Sequence, residues 1–274
     1  MIESPDRARI EADRLRATLV RIIVDEPAPG HINMAIDEAL LESVDSGGPP
    51  VFRLYSFSPA TLSVGRFQKT RSLFDFEALR RDGIEFVRRP SGGQAVLHSD
   101  EITYSCVIGR GHLEGFSKRG VYRYVIPLLI SGLNRVGIRD ARSITNIRGE
   151  RSDPDCFATG GEYEVDNSRR QKLIGSAQMI TKTAVLQHGS IPISEAYRSI
   201  SRYFAESNRT EADASSLSEE LGRPIAFHDA RVAFEEVIRG IPGATSSALS
   251  DEERNRSAAL SEEKYRSLEW NERR

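Results

Sequence analysis

Val87-Arg88-Arg89-Pro90-Ser91-Gly92-Gly93-Gln94-Ala95-Val96-Leu97-His98-Ser99-Asp100-Glu101-Ile102-Thr103-Tyr104 is the stretch whose reading decides the fold. Short apolar runs frame its centre, Ile84 to Val87 before it and Ala95 to Leu97 then Ile102 to Ile108 after it, and each run reads as a strand. The chain therefore leaves one strand, turns through Arg-Arg-Pro-Ser-Gly-Gly and enters another. Pro90 fixes the backbone in that turn, while Gly92 and Gly93 let it approach a ligand closely. Arg88 and Arg89 keep their charge and offer forked donors to a carboxylate, a phosphate or a polarised carbonyl. Taken alone, the residues fit a binding loop and a glycine hairpin with two solvated arginines equally well. The loop lacks the Gly-Lys-Ser/Thr ending of a phosphate-binding P-loop.

Upstream, Leu19 to Val24 reads as a strand, preceded by a charged segment, 1–18, expected as an exposed helix or arm. Asn33 is the expected N-cap of a helix in which Ile36, Ala39, Leu40 and Val44 share a face, ending at Gly47-Gly48. Val51 to Phe57 and Ala60 to Val64 read as strands. Gly65-Arg66-Phe67-Gln68 then leads into a helix over Leu73 to Arg81.

Downstream, Arg119 to Val136 carries an apolar stripe at helical spacing, and Thr145 to Pro154 reads as a polar loop. Strands are expected at Glu162 to Val165, Lys172 to Gln178 and Val185 to Ile191, the first two joined by a turn at Asn167 to Arg170. Past Pro192 the pattern becomes helical, with capping boxes opening at Ser216 and Ser250.

The 274 residues suffice for a large core, and 39% apolar with 28% charged residues is the make-up of a water-soluble globular enzyme. A formal net charge of −2 gives no footprint for nucleic acid, and no apolar run approaches a membrane span or a signal peptide. The expectation is a cytoplasmic protein that binds neither nucleic acid nor membrane. Two cysteines make no disulfide scaffold, and the five histidines are scattered, so no metal is expected.

Cys156, in Asp155-Cys156-Phe157, stands where the polar loop meets a strand, and Lys172 opens Lys172-Leu173-Ile174-Gly175-Ser176-Ala177-Gln178. A thiol with a pKa of about 8.5 yields more thiolate beside an ammonium group, so the pair reads as a nucleophile with its activator. The plainer readings are a half-buried cysteine used as a small hydrophobe and a solvated edge lysine. Gly175, Ser176 and Ala177 would let an extended ligand lie along the strand. His188, in Gln187-His188-Gly189-Ser190, and His98 read either as carbonyl-orienting groups or as satisfied core histidines, with the second favoured. Cys106 reads as structural, and no Gly-x-Ser-x-Gly motif accompanies the histidines.

Asn33-Met34-Ala35-Ile36-Asp37-Glu38-Ala39-Leu40-Leu41, Arg88 to His98, Lys172 to Gln178 and Leu186-Gln187-His188-Gly189-Ser190-Ile191 together resemble the lipoate–protein ligase and octanoyltransferase superfamily. The likeness covers Leu19 to Ile193 and, with Cys156 ahead of Lys172, is nearest to the cysteine-dependent octanoyl-[acyl carrier protein]:protein octanoyltransferases. It implies an α/β (mixed α+β) catalytic domain over 19–206, biotin/lipoate ligase-like, with mixed sheets flanked by helices and an acyl tunnel beside the arginine loop. C-terminal helices over 207–274 would follow as an extension. It also implies that Cys156, assisted by Lys172, takes an octanoyl (or lipoyl) group from acyl carrier protein as a thioester. A lysine of a lipoyl domain, on glycine cleavage H protein or a 2-oxoacid dehydrogenase subunit, would then accept it.

The implied substrate-binding residues are Arg88, Arg89, Ser91, Gly92, Gly93, Gln94, His98, Gly175, Ser176, Ala177, His188 and Gly189. Thioester exchange is nearly balanced and thioester to amide runs downhill, so no cofactor is expected. ATP and Mg would enter only if the protein were instead an ATP-dependent lipoate–protein ligase. An octanoyl amidotransferase between lipoyl domains and a non-catalytic acyl-binding subunit are the remaining alternatives.

Overall fold

The computed structural model describes residues 15–16, 19–145, 155–157, 163–205 and 213–272. Strand β1 is Val20–Val24 and helix α1 is Gly30–Asp45, followed by β2 at Val51–Tyr55 and β3 at Thr61–Val64. Helix α2, Phe76–Arg81, leads to β4 at Glu85–Arg88, β5 at Val96–His98 and β6 at Glu101–Gly109. Helix α3 is Lys118–Val136, and strands β7 to β10 are Arg142–Thr145, Tyr163–Asp166, Lys172–Ile180 and Ala184–Pro192. A 3-10 helix at Glu195–Tyr203 precedes α4 at Leu217–Leu221, α5 at Phe227–Arg239, β11 at Ala244–Ser246, α6 at Asp251–Leu260 and α7 at Leu268–Asn271.

Among the described residues these strands form two sheets. The larger runs β11-β1-β2-β6-β10-β9-β8-β7, parallel at β11, β1 and β2 and antiparallel beyond; the smaller runs β4-β3-β5. Strands β2 and β6 are buried along their whole length, because helices cover both faces of the large sheet. With a period of two, Phe52, Leu54, Ile102, Tyr104, Cys106 and Ile108 face α3 and α5, where they meet Val125, Leu129, Leu133 and Phe234. The opposite face places Val51, Val107 and Leu186 against Ile36, Leu40, Leu41 and Val44 of α1. Cys106 is thus a core residue, as expected, and burial pushes its thiol well above the ordinary range.

Helix α1 begins four residues earlier than the sequence suggests. Pro29 stands at its N-cap, and Asn33 is buried inside the first turns, where its amide donates to the carbonyls of Ala28 and Ser56, each at 2.9 Å. Asn33 signals a cap by residue type, but its side chain staples the helix to the strand below instead.

The residues beyond 207 do more than form helices. Ala244–Ser246 pairs in parallel with β1, Phe234 and Ile238 of α5 enter the main core, and the Arg21 guanidinium grips Glu253 of α6 at 2.5 and 2.8 Å. Neither β11, Ala-Thr-Ser, nor β7, Arg-Ser-Ile-Thr, carries an apolar run that marks a strand in sequence. The capping boxes at Ser216 and Ser250 both form. Of the arm expected over 1–18, only Leu15 and Arg16 are described, with Leu15 bridged to Leu113; most of the Thr145 to Pro154 loop lies outside the described residues. No described helix is long and apolar enough to cross a membrane.

Candidate active site

The site grows out of strand register. Arg53 pairs with Ser105 and Ser105 with His188, while Tyr55 pairs with Thr103 and Thr103 with Ser190, so two polar rows run across β2, β6 and β10. Both rows lie on the face that covers α1, and there the helix presents Asp37, fully buried, in place of an apolar side chain. One Asp37 oxygen accepts from Arg53 Nη1 and Ser105 Oγ, each at 2.9 Å. The other accepts from the Tyr55 hydroxyl at 2.8 Å and from His188 Nδ1 at 3.0 Å. Burial alone would raise the Asp37 pKa; the His188 hydrogen bond and the Arg53 charge outweigh it and hold the carboxyl below its usual value.

Burial lowers the His188 pKa in spite of Asp37, so the imidazole is neutral at pH 7. With Nδ1–H committed to Asp37, Nε2 accepts from the Ser91 hydroxyl at 2.6 Å. This chain of bonds ties the arginine loop to the floor of the large sheet. A parallel chain lies beside it: His98 bonds Glu101 at 2.5 Å and Ser63 at 2.6 Å, with Phe57 stacked on its ring at 4.0 Å. Glu101 also accepts from Thr103 and Ser190. Both histidines are satisfied core groups that also form part of a cavity wall.

That cavity, partly open to solvent, lies between the arginine loop and strands β9 and β10. Met34, Tyr55, Val96 and Thr103 join Arg89, His98, Cys156, Gly175, Ser176, Ala177, His188 and Gly189 in lining it. Gly189 is required there: a methyl group on it would lie 2.4 Å from the Gly175 carbonyl oxygen and 2.7 Å from the Tyr104 ring. Arg89 spans the loop from inside, donating to Ser63 O and Oγ at 3.0 and 2.8 Å and to the carbonyls of Gly92 and Gln94 at 3.1 and 2.9 Å. Burial pushes its pKa down to about 10, against an upward pull from the charge of Cys156.

Cys156 hangs from the exit of the same loop, its N–H donating to the Ala95 carbonyl at 2.9 Å. Its sulfur comes within 3.4 Å of where a methyl on Gly175 would sit. Lys172 is a buried residue, not a solvated edge lysine: its ammonium donates to the Cys156 carbonyl oxygen at 2.6 Å and pairs with Glu164 at 2.6 Å. Burial opposes the Lys172 charge, but Cys156 and Glu164 outweigh it and raise the pKa. Burial and the neighbouring Glu164 push Asp166 up to about 6.

Not every expected residue meets the cavity. Arg88, fully buried, points away from it: Nη1 donates to the carbonyls of Gly65, Arg66 and Gln68, Nη2 to Asn271 O at 3.0 Å and Nε to Trp270 O at 2.9 Å. It braces the loop rather than lining the pocket, because its neighbour Arg89 takes the inward side of the alternating strand. Ser91 lies one bond behind His188. Gly92 and Gly93 form the outer turn, Gly93 at φ +93°, where an added methyl would lie 3.3 Å from Arg89 Nη2. Gln94 accepts from Gln68 Nε2 at 2.8 Å.

Sequence reading missed Asp37, Tyr55, Arg53 and Glu101. An acidic residue on the apolar face of α1, one helical turn from Leu40 and Leu41, was the available signal for Asp37. Among the described residues no cluster of metal-ligating side chains occurs.

Residues 29–239 match the model of the lipoyl protein ligase A/B catalytic domain. The chain is similar to the octanoyltransferase LipM of Symbiobacterium thermophilum, 35% identical over 90% of this chain and 95% of that one. It is likewise similar to the LipM octanoyltransferase of Bacillus subtilis, 34% identical over 93% and 98%. The fold resembles that of a bipartite lipoate protein ligase from Thermoplasma acidophilum, with a TM-score of 0.76 at 20% identity over 93% of this chain and 96% of that one. A lipoate-protein ligase A bound with ATP gives a TM-score of 0.75 at 21% identity over 93% and 98%. The chain belongs to the lipoyl protein ligase A/B catalytic domain family. It is an enzyme, an acyltransferase of the kind those curated relatives represent.

Proposed function

We propose that this octanoyl-transfer enzyme of protein lipoylation works through a thioester on Cys156, taking the acyl group from acyl carrier protein and passing it to a lipoyl-domain lysine. The observation that carries the reading is the setting of Cys156: it lines the cavity against Gly175, with Lys172 on its carbonyl and Arg89 on the same cavity wall. Arg89 and Lys172, both buried, each have their pKa pulled upward by Cys156.

In the first half-reaction the Cys156 thiolate attacks the acyl carbonyl carbon of the carrier thioester. The carbon–sulfur bond to the carrier breaks, and the carrier leaves as a thiolate that takes a proton from water. In the second, the neutral amine of the target lysine attacks the carbonyl carbon of the Cys156 thioester, an amide forms, the amine nitrogen gives its proton to water, and the carbon–sulfur bond breaks to release Cys156 as thiolate. Dividing the transfer lets two bulky partners visit in turn. The alkyl chain would lie in the cavity along Gly175 to Ala177, where small side chains leave room. No ATP enters either step, and no cofactor is part of the proposal.

Incubating the enzyme with octanoyl carrier protein, without ATP, followed by intact mass spectrometry tests this. An octanoyl adduct that hydroxylamine removes and that Cys156→Ala abolishes is expected. Transfer that persists in Cys156→Ala, or that needs ATP, would overturn the thioester route in favour of a ligase. An adduct formed only from an octanoylated lipoyl domain would replace the carrier by an amide donor.

A further inference from the structure

The turn between β3 and α2 takes no part in lining the cavity, yet it carries Phe67 with 84% of its surface exposed. Arg66, Lys69 and Arg71 surround it, all exposed, and from Gly65 to Leu73 the sequence holds no carboxylate. Glu272 approaches Arg71 to 3.8 Å across space, which leaves the patch net positive. A single exposed apolar side chain is ordinary. This one differs because hydrogen bonds hold the backbone on both sides of it.

Arg88 Nη1 gathers the carbonyls of Gly65, Arg66 and Gln68 at 2.9, 3.2 and 2.8 Å, and the Gly65 N–H donates to Gln68 Oε1 at 3.0 Å. An exposed aromatic on a braced backbone among basic side chains has the composition of an interface hot spot. The turn is also wired to the cysteine. Arg66 N–H donates to Ser91 O at 2.8 Å, and Gln68 bonds Gln94, whose neighbour Ala95 holds the Cys156 N–H.

We propose that this turn is the docking surface for the acyl donor, an acidic carrier protein that presents its thioester on a flexible arm. The assignment rests on the Cys156 thioester reading. Phe67 seats in an apolar groove of the carrier, and Arg66, Lys69 and Arg71 meet its carboxylates. The whole chain carries a net charge of −2 and would repel an acidic partner, so attraction has to come from a local patch, and this one is hydrogen-bonded to the loop whose Ala95 carbonyl holds the Cys156 N–H.

The test compares two donors on the full chain: octanoyl carrier protein and octanoyl-CoA, which has no protein body to dock. Cys156 acylation is followed by intact mass spectrometry for the wild type, Phe67→Ala and Arg66→Glu. The expected result is a loss of about tenfold or more with carrier protein and less than about twofold with octanoyl-CoA, with a flatter salt dependence for Arg66→Glu. Equal slowing with both donors would mean that the turn merely supports the cysteine segment, and no slowing with either would mean that nothing docks there; both overturn the proposal. Slowing confined to the second step, read by chasing pre-acylated enzyme with a lipoyl domain, would move the surface to the acceptor and overturn it too. If the wild type forms no adduct with either donor, the thioester reading falls and takes this assignment with it.

Discussion

Replacing Asp37 by asparagine keeps the shape of the side chain and removes its charge at the point where α1, the large sheet and the arginine loop are tied together. Each carboxylate oxygen accepts two hydrogen bonds, from Arg53 and Ser105 on one side and from Tyr55 and His188 on the other. An amide has a single acceptor oxygen, so whichever way it turns, two donors face its NH2 group. Hydrogen bonds to a charged group contribute about 1.5–3 kcal/mol each, and removing one member of a buried ion pair costs about 3–5 kcal/mol. The two figures overlap, and Asp25 still holds Arg53 Nε at 2.6 Å. The expected loss is therefore about 3–5 kcal/mol, which for a chain of this size lowers Tm by about 10 °C. Urea unfolding followed by circular dichroism measures it, with an unchanged m value showing that the denatured state is the same. Stability within about 1 kcal/mol of the wild type would refute the view that this carboxylate organises the site.

Other perturbations test neighbouring parts of the argument. Gly189→Ala places a methyl against the Gly175 carbonyl and should cost about 1–3 kcal/mol or more, whereas Gly175→Ala makes only ordinary contact with Cys156 and Phe157 and should fold normally while losing acylation by filling the space beside the sulfur. Paired denaturation and acylation assays separate the two, and equal stability would count against the strand spacing described. Burial holds the His188 pKa below 6.5, so the unfolded chain binds more protons in the window between the folded value and 6.5. Stability should accordingly be full above pH 6.5 and fall as pH drops below it; in His188→Asn that slope should be shallower, and an unchanged slope would exclude this imidazole as a source. Trp270→Ala removes a buried ring whose Nε1 donates to Arg88 O at 2.9 Å, and should cost about 3–5 kcal/mol in melting experiments. A variant melting like the wild type would show that the C-terminal residues do not brace the loop.

Local signals in the chain were sufficient for most elements. Strand-like runs marked β2, β6, β9 and β10, and reciprocal Ser/Glu pairs marked the starts of α4 and α6, because each depends on residues within one turn or strand. Cys156 and the run from Gly175 to Ala177 were legible in the same way, from residue type and spacing. Arg88 and Arg89 show the limit of that reading. Two adjacent arginines look equivalent in sequence, yet one enters the cavity wall and the other clamps the turn at Gly65 to Gln68 and the last helix, since neighbours on a strand point to opposite faces.

What the sequence by itself determined was most of the elements, the glycine-containing loop and the presence of Cys156 and Lys172 on either side of one turn. What only the tertiary structure decided was which polar groups meet. Arg53, Ser105 and His188 form one row through pairing register, and Asp37 reaches that row from a helix packed across it. Register and packing are set by burial summed over whole strands and helices, so no short window of residues contains them.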